Sequence, residues 1–427
     1  MNMATVVGYR CIRCAAEYAN DLKIDSRGCP ICFEKAPANF QPMYTQCFDM
    51  PENPGSDRDA LRNSLWRYET FLPFFDKVVS LGEGLTPLLP AQYLGEAIGV
   101  PRLFIKDEGR NPTWSHKDRF STIIASMARA QGAKVLTTAS SGNAGASLAA
   151  YAARAGLGCV VVTFAGAAGP MLSQIRAYGA SVVPMVQKTD RWSLLERLAE
   201  LPGWFVTSPY RNPVVGSHPV GIEGYKTIAF EIAEQSGGDI PDWCVLPVCY
   251  GDALAGVAAG FQDLFRLGKI GGIPRLVAAE VHGSLSAALE KGLDRIEDQK
   301  PAFETIALSI GTTRSTYQAV KALRDTRGLA VGVSNEQLLC MQKALAAKEG
   351  LFVELASVAP LVAIQQMREK QIIGRNDRVV AIATASGLKD LDVSAGPSVS
   401  SSTFESIGDA WRWLGESVAR NSDRPFN

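Results

Sequence analysis

Histidine is scarce in this 427-residue chain, neither sign of charge is in surplus, and long apolar runs are absent. Each shortage removes a class of function. The three histidines, His116, His218 and His282, are too scattered to suggest a catalytic metal site or a hydrolytic triad. Lys+Arg and Asp+Glu both number 43, so net charge is zero and neither a nucleic-acid nor an anionic-membrane partner is expected. Any anion must be held locally. No run approaches the ~18 uninterrupted apolar residues of a membrane span, and Met1 to Arg10 has no apolar signal core. A cytoplasmic protein is expected.

What is present is ordinary enzyme material, 47% hydrophobic and 20% charged. The length exceeds the roughly 250 to 300 residues at which single cores stop growing, so two or more domains are expected. The nine cysteines do not form a small secreted disulfide framework. Four of them form two CxxC knuckles, Cys11-Ile12-Arg13-Cys14 and Cys29-Pro30-Ile31-Cys32, separated by residues 15–28. Four thiolates from two tight turns suit tetrahedral zinc, and a closed four-cysteine site leaves no position for water, so the metal would be structural. Free thiols are the alternative.

The segment 1–40 is therefore zinc-ribbon-like, and Asn39 to Ser56, rich in Pro, Asn and Gln, reads as a linker. From Arg102 onward, short β-branched runs alternate with helical ones: 134–138, 159–163 and 181–186, each followed by a helix at 145–155, 171–178 and 191–201. A second set has strands at 204–207, 243–248, 275–280 and 378–384, with helices at 221–235, 253–267 and 336–348 between them. This alternation predicts right-handed βαβ units and parallel sheets in an α/β fold. The expected division is 1–40, then 41–101 as linker and part of a large domain, 102–203 as a smaller α/β domain, and 204–427 as the larger one. A ligand cleft between the two is expected beyond the carboxyl ends of the strands. The tail from Leu391, with a polar run at 398–402, reads as a loop and a packing helix.

Lys117, in Ser115-His116-Lys117-Asp118-Arg119, follows the strand-like 102–108. A lysine amine becomes a nucleophile at neutral pH only with a depressed pKa or held as an imine, and a strand-to-helix junction gives the fixed position either route needs. A solvated first-turn lysine is the bland alternative. The chain later offers Ser140-Ser141-Gly142-Asn143-Ala144-Gly145, a turn suited either to cap a helix or to lie under a cofactor ring.

These two motifs sit in an ordered series. Asn63 to Tyr68, Gly82-Glu83-Gly84-Leu85-Thr86-Pro87-Leu88, the lysine and asparagine loops, Glu223-Gly224-Tyr225-Lys226-Thr227 and Thr384-Ala385-Ser386-Gly387-Leu388-Lys389-Asp390 together resemble the threonine synthase family. That family lies within the fold type II, tryptophan synthase β-like, pyridoxal-phosphate enzymes. The resemblance implies two parallel-sheet, three-layer domains, pyridoxal 5'-phosphate as cofactor, a small amino acid as substrate and a possible homodimer.

It also implies roles. Lys117 holds the place of the cofactor lysine and proton carrier, and Asn143 that of the residue beside the ring hydroxyl. Ser140, Ser141 and Gly142 suit a substrate carboxylate. The phosphate loop corresponds to Val248 to Leu254, with Tyr250, Gly251, Asp252 and Ala253 as cofactor neighbours. This loop departs from the family by keeping one glycine, and Asp252 stands there as N-cap or as an unwelcome charge. Thr384 matches the hydroxyl at the ring nitrogen; a neutral partner favours elimination or replacement over transamination.

The departures bear on substrate. Where family members grip a substrate phosphate with a threonine after the loop asparagine and an arginine before Glu-Gly-x-Lys-Thr, this chain has Ala144 and Gly221. One lost charge-assisted contact is worth about 1.5–3 kcal/mol. Arg211, His218 and Arg314 are the candidates to substitute from a neighbouring loop. Three readings stay open: side-chain elimination or replacement on a β-substituted amino acid, a true threonine synthase acting on O-phosphohomoserine, and a non-catalytic zinc-ribbon binding protein on a degenerate scaffold.

Overall fold

A computed structural model describes residues 5–45, 61–167, 169–391 and 403–422, the last stretch by backbone alone beyond 414. It divides into two units, 1–394 and 395–427. The second contributes the helix Ile407–Ser422, where the rings of Phe404 and Trp413 meet at 5.4 Å. The polar run at 398–402 lies outside the described residues.

The first unit opens with a three-stranded antiparallel sheet, β1 (Val6–Cys11), β2 (Glu17–Ala19) and β3 (Phe40–Tyr44), ordered β2-β1-β3. The stretch expected to begin the linker is thus partly a strand: Phe40 pairs with Cys11 and buries its ring against Tyr9 and Tyr18. Residues 46–56 of the expected linker lie outside the described residues.

The chain then runs β4 (Leu88–Pro90), α1 (Gln92–Ala97), β5 (Leu103–Asp107) and α2 (Lys117–Ala130). Alternation follows as β6 (Val135–Ala139), α3 (Asn143–Ala155), β7 (Gly158–Phe164), α4 (Pro170–Ala177), β8 (Ser181–Met185), α5 (Asp190–Leu198) and β9 (Trp204–Val206). Next come α6 (Pro219–Ile222), α7 (Lys226–Gln235), β10 (Trp243–Pro247), α8 (Asp252–Arg266), β11 (Arg275–Glu280) and α9 (Ser284–Glu290). The unit ends with α10 (Tyr317–Asp325), β12 (Leu329–Gly332), α11 (Asn335–Glu349), α12 (Leu355–Glu369) and β13 (Val379–Ala383).

Two sheets result. One has six strands ordered β12-β11-β10-β13-β5-β4, parallel except for the antiparallel edge β4; the other has four parallel strands ordered β8-β7-β6-β9. The continuous apolar runs are explained by burial on both faces. In the larger sheet Val245, Val277 and Val379 pack with α11 and α12, while Cys244, Leu246 and Ile382 pack with α7 and α8. In the smaller, Leu136 and Val161 face α2 and α3, and Val162 faces Leu195 of α5. Each sheet is a middle layer between helices, as expected.

Two strands exchange places relative to the expected domain limits. Leu103–Asp107 joins the larger sheet, pairing with β13, and Trp204–Val206 closes the smaller, pairing with β6. Local hydrophobicity marks a strand but not its neighbour. The expected helix 221–235 is likewise broken into α6, a 3₁₀ turn at Glu223–Tyr225 and α7. Gly224 packs there against the Arg119 carbonyl so closely that a Cβ would come within 1.9 Å of the oxygen. Among the described residues no helix is long and apolar enough to cross a membrane.

Candidate functional site

The motifs of the ordered series converge on a buried ionic frame. Arg119, fully buried, donates through Nε to Glu108 at 2.7 Å and through Nη1 to Glu231 at 2.6 Å and Thr227 at 2.8 Å. Lys106 Nζ reaches Glu231 and the Thr86 carbonyl, each at 2.6 Å. Buried charges persist only when paired and hydrogen-bonded in this way. Two residues before Arg119, the frame fixes where α2 begins, and α2 begins at Lys117.

The turn before Lys117 is stitched to the end of β13. His116 donates its backbone N–H to Thr384 O at 2.8 Å, and Ser386 donates to Trp114 O at 3.1 Å. Trp114 adopts φ of 65°, a left-handed conformation unusual for a bulky residue and held here by those flanking bonds. The lysine amine then lies 5.6 Å over the Tyr225 ring. Burial disfavours its charge, but Tyr225 and Asp252 outweigh that and hold its pKa above the ordinary lysine value. His116 is kept neutral by burial and by the adjacent Lys117 cation.

Asn143 opens α3 behind Gly142. Its Nδ2 donates to Glu354 at 2.6 Å, while its buried Oδ1 has no partner. Glu354, 4% exposed, also accepts from Ser309 and immediately precedes α12. Sequence reasoning missed it; the only signal was an acid at the start of a long apolar segment. Ser140 turns its hydroxyl inward to accept from Gly142 and Gly145 N–H at 3.2 and 3.1 Å, so it organises the loop. Ser141 and Gly142 remain half-buried beside it.

Thr384 follows β13, its Oγ1 2.9 Å from the hydroxyl of Ser357, which also accepts from Ala385 N–H. Both members of this pair are neutral hydroxyls. Gly251 carries φ of 80° at the N-cap of α8, and a Cβ there would approach Ala319 Cβ to 2.4 Å, so only glycine fits. Asp252 is not the N-cap. Its carboxylate turns aside to accept from Ser217 Oγ at 2.6 Å and Gln318 Nε2 at 2.5 Å, both neutral donors. The carbonyls of Cys249 and Tyr250 are taken by Ser315 and Thr316 hydroxyls at 2.8 and 2.5 Å. That leaves the N–H groups around Ala253, half-buried in the first turn of α8, for an anion.

A cavity of about 30 Å³ adjoins Lys117, lined by Phe120, Ala144, Leu148, Thr207, Ser208 and Tyr225 among others. A Cβ on Gly221 would fall 2.4 Å from Phe120 Cε2: the space an arginine would need is filled by that ring. The three candidate substitutes already have partners or are buried, though the Nε atoms of Arg211 and Arg314 remain unpartnered. Arg211 pairs with Glu196 and Arg314 with Asp298, while His218 is buried against Phe205 and its pKa pushed down to about 3 by burial.

Away from the cleft, Cys11, Cys14, Cys29 and Cys32 bring their four sulfurs within 4.8 Å of one another. The Cys11–Cys32 and Cys14–Cys29 separations are 3.8 and 3.7 Å. Tetrahedral zinc with Zn–S near 2.3 Å sets sulfurs about 3.8 Å apart.

Residues 79–385 match the family model described as pyridoxal-phosphate dependent enzyme. The chain is 35% identical over 337 residues to the threonine synthase of Methanocaldococcus jannaschii, covering 77% of this chain and 82% of that one. It is 32% identical over 419 residues to the threonine synthase of Methanosarcina acetivorans, covering 94% and 98%. Among solved structures, serine racemase from Dictyostelium discoideum superimposes with TM-score 0.59 at 24% identity over 71% of this chain and 92% of that one, a likeness of fold. With a buried frame assembled from the motifs that suggested it and relatives matching along most of its length, the chain belongs to the threonine synthase family of pyridoxal-phosphate-dependent enzymes.

Proposed function

We propose that the protein catalyses elimination or replacement at the side chain of a small amino acid, with a β-substituted amino acid favoured. The observation that carries the substrate preference is Phe120 standing where an arginine at 221 would need to be, beside Ala144. The residues fit pyridoxal phosphate: the unpartnered Oδ1 of Asn143 suits a ring hydroxyl, Thr384 a ring nitrogen, and the Tyr250–Ala253 turn a phosphate. When bound, that group supplies the electron sink.

The chain's own residues do the rest. Lys117 carries the proton at Cα, its amine positioned by the start of α2 and by Tyr225. With the Ser140 and Gly142 N–H groups taken within the protein, the substrate carboxylate is held on the Ser141 side of the turn at the head of α3. Thr384, bonded only to neutral groups, leaves the ring nitrogen without a carboxylate, which favours elimination over transamination. The β-route requires one proton carrier and the sink; the γ-route of O-phosphohomoserine requires a further abstraction at Cβ and a held phosphate.

The four cysteines are proposed to hold one structural zinc, supported by sulfur spacings that match tetrahedral coordination. Four thiolates close the shell and leave no position for substrate. A second reading, a true threonine synthase, is favoured by the names of the relatives. The two separate by kcat/KM for serine, threonine or an O-acylated serine against that for O-phosphohomoserine. Efficient formation of threonine with phosphate release would overturn the first reading.

A further inference from the structure

The cysteine knuckles and the Tyr250–Ala253 turn are joined by an unbroken series of hydrogen bonds that passes through one side chain, Asn39. Both knuckles grip the chain beside it: Cys29 N–H donates to Ala38 O at 2.9 Å and Ile12 N–H to Asn39 O at 3.2 Å, while Cys11 pairs with Phe40 across β1 and β3. The backbone at 38–40 is thus set by the knuckles. Asn39 is 2% exposed, and its Oδ1 accepts from Phe40 N–H at 2.9 Å. That fixes the amide, and leaves Nδ2 to donate to Ser217 O at 3.0 Å and to Gln318 Oε1 at 3.2 Å.

Ser217 and Gln318 are the residues that hold Asp252. Its Oδ1 accepts from Ser217 N–H at 3.1 Å and Gln318 Nε2 at 2.5 Å, and its Oδ2 accepts from Ser217 Oγ at 2.6 Å. A closed circuit results, from Asn39 to Ser217 to Asp252 to Gln318 and back. Gln318 comes from the first turn of α10 and Asp252 opens α8, so the circuit ties both helices to the chain beside the knuckles. Its consequence lies at the start of α8. A carboxylate there is an acceptor for the free N–H groups of the first turn, the same groups a phosphoryl dianion needs. The bonds to Ser217 and Gln318 keep Asp252 from them.

Resting on the cofactor and zinc readings above, we propose that Asn39 is a positioning residue: it couples metal in the knuckles to the phosphoryl site in the first turn of α8, by holding Asp252 off the N–H groups that receive the cofactor's phosphate. By linkage, a filled knuckle site and a bound phosphate then strengthen one another.

Asn39→Ala removes the side-chain link and leaves the backbone bonds to the knuckles, and Gln318→Met breaks the same circuit from the far side. For each, zinc content is read by elemental analysis, and cofactor affinity by absorbance titration with pyridoxal phosphate and with phosphate-free pyridoxal. Both variants should keep about one zinc per chain, lose about tenfold in affinity for pyridoxal phosphate and hold pyridoxal within about twofold. The double variant should lose no more than either single one, since the circuit is already open. Stripping zinc from the wild type with a chelator should weaken pyridoxal phosphate by a similar factor, and should weaken it no further in Asn39→Ala.

Equal losses for the two ligands would mark a structural effect and overturn the proposal. So would pyridoxal phosphate affinities within about twofold of wild type, or additive losses in the double variant. Wild-type protein without zinc would overturn the zinc reading, and wild type that takes up no pyridoxal phosphate the cofactor reading, each taking the proposal with it. The proposal fails alone where both groups bind and the ratio between the two ligands stays put.

Discussion

The two ends of the cleft are built differently. Around Lys117, Asn143 and Thr384, polar groups arrive on rigid elements and find partners: Thr384 with Ser357, Asn143 with Glu354, and the Lys117 turn with the end of β13. At the other end, where a side-chain substituent would lie, the wall is Phe120, Ala144 and Leu148 with scattered hydroxyls, and no arginine lines it among the described residues. The first end is over-determined and the second sparsely determined. The lesson is that the machinery for moving a proton and the machinery for choosing a leaving group are separately encoded, so one can be rewritten while the other stays fixed.

The sharpest way to break this comparison is to remove the centre of the determined end. Lys117→Ala should abolish the borohydride-reducible linkage to the cofactor and lower turnover by at least about 10³-fold, since it removes both the covalent anchor and the proton carrier. A reducible linkage surviving in that variant would place the anchor elsewhere. Lys106 is not a credible alternative site, being locked between Glu231 and Thr86 O.

Next in size is the frame beneath. Arg119→Met leaves Glu108 and half of Glu231 without a counter-charge in a fully buried setting, and breaking such a pair costs about 3–5 kcal/mol. Urea denaturation should show that loss, whereas Arg211→Gln, which breaks only a partly exposed pair with Glu196 outside the frame, should unfold close to the wild-type midpoint. Equal losses in the two variants would erase the distinction between the ends.

The knuckle cysteines test a third region against both. Elemental analysis should give about one zinc per chain, and Cys11→Ser should lower stability more than kcat, because the cluster is held by the β1–β3 sheet and not by the cleft. Zinc-free protein of normal stability would contradict the assignment.

The determined end was also the legible one, for a physical reason. Lys117 at a strand–helix junction, the fully buried strands Trp243–Pro247 and Val379–Ala383, and paired CxxC knuckles are local signals, each carried by a few consecutive residues. What escaped depends on contacts distant in sequence. Glu354 meets Asn143 across 211 residues, and Asp252 is drawn from its helix end by Gln318, 66 residues on. Phe120 filling the space beside Gly221 is a matter of packing between α2 and α6. The assignment of β5 and β9 to sheets failed likewise, since pairing is a property of two strands.

A smaller effect sharpens the comparison at the substituent end. Phe120→Leu with Gly221→Arg should admit a guanidinium to the wall and shift kcat/KM toward O-phosphohomoserine relative to serine by about 10- to 100-fold, the worth of one charge-assisted contact. No shift in a folded double variant would show that Phe120 does not set the preference.

The smallest effect concerns a tie across the cleft. Lys389, in the 3₁₀ turn Gly387–Lys389 beyond β13, donates Nζ to Gln174 of α4 at 2.7 Å. Its partner is an amide and not a carboxylate, so burial, opposed weakly by Asp118 and Glu354, pushes the pKa down to about 8. A lysine depressed in the folded state binds fewer protons there than in the unfolded chain between pH 8 and the ordinary lysine value near 10.5. Stability attributable to this group must therefore rise with pH across that window, the reverse of a lysine held by an acid. From pH 7 to 9 the gain is on the order of 1 kcal/mol. Lys389→Met keeps the stem and removes the titration, so its urea midpoint should climb less than wild type over the same range. Parallel slopes would mean that Lys389 stays charged, held so by Asp118 or Glu354.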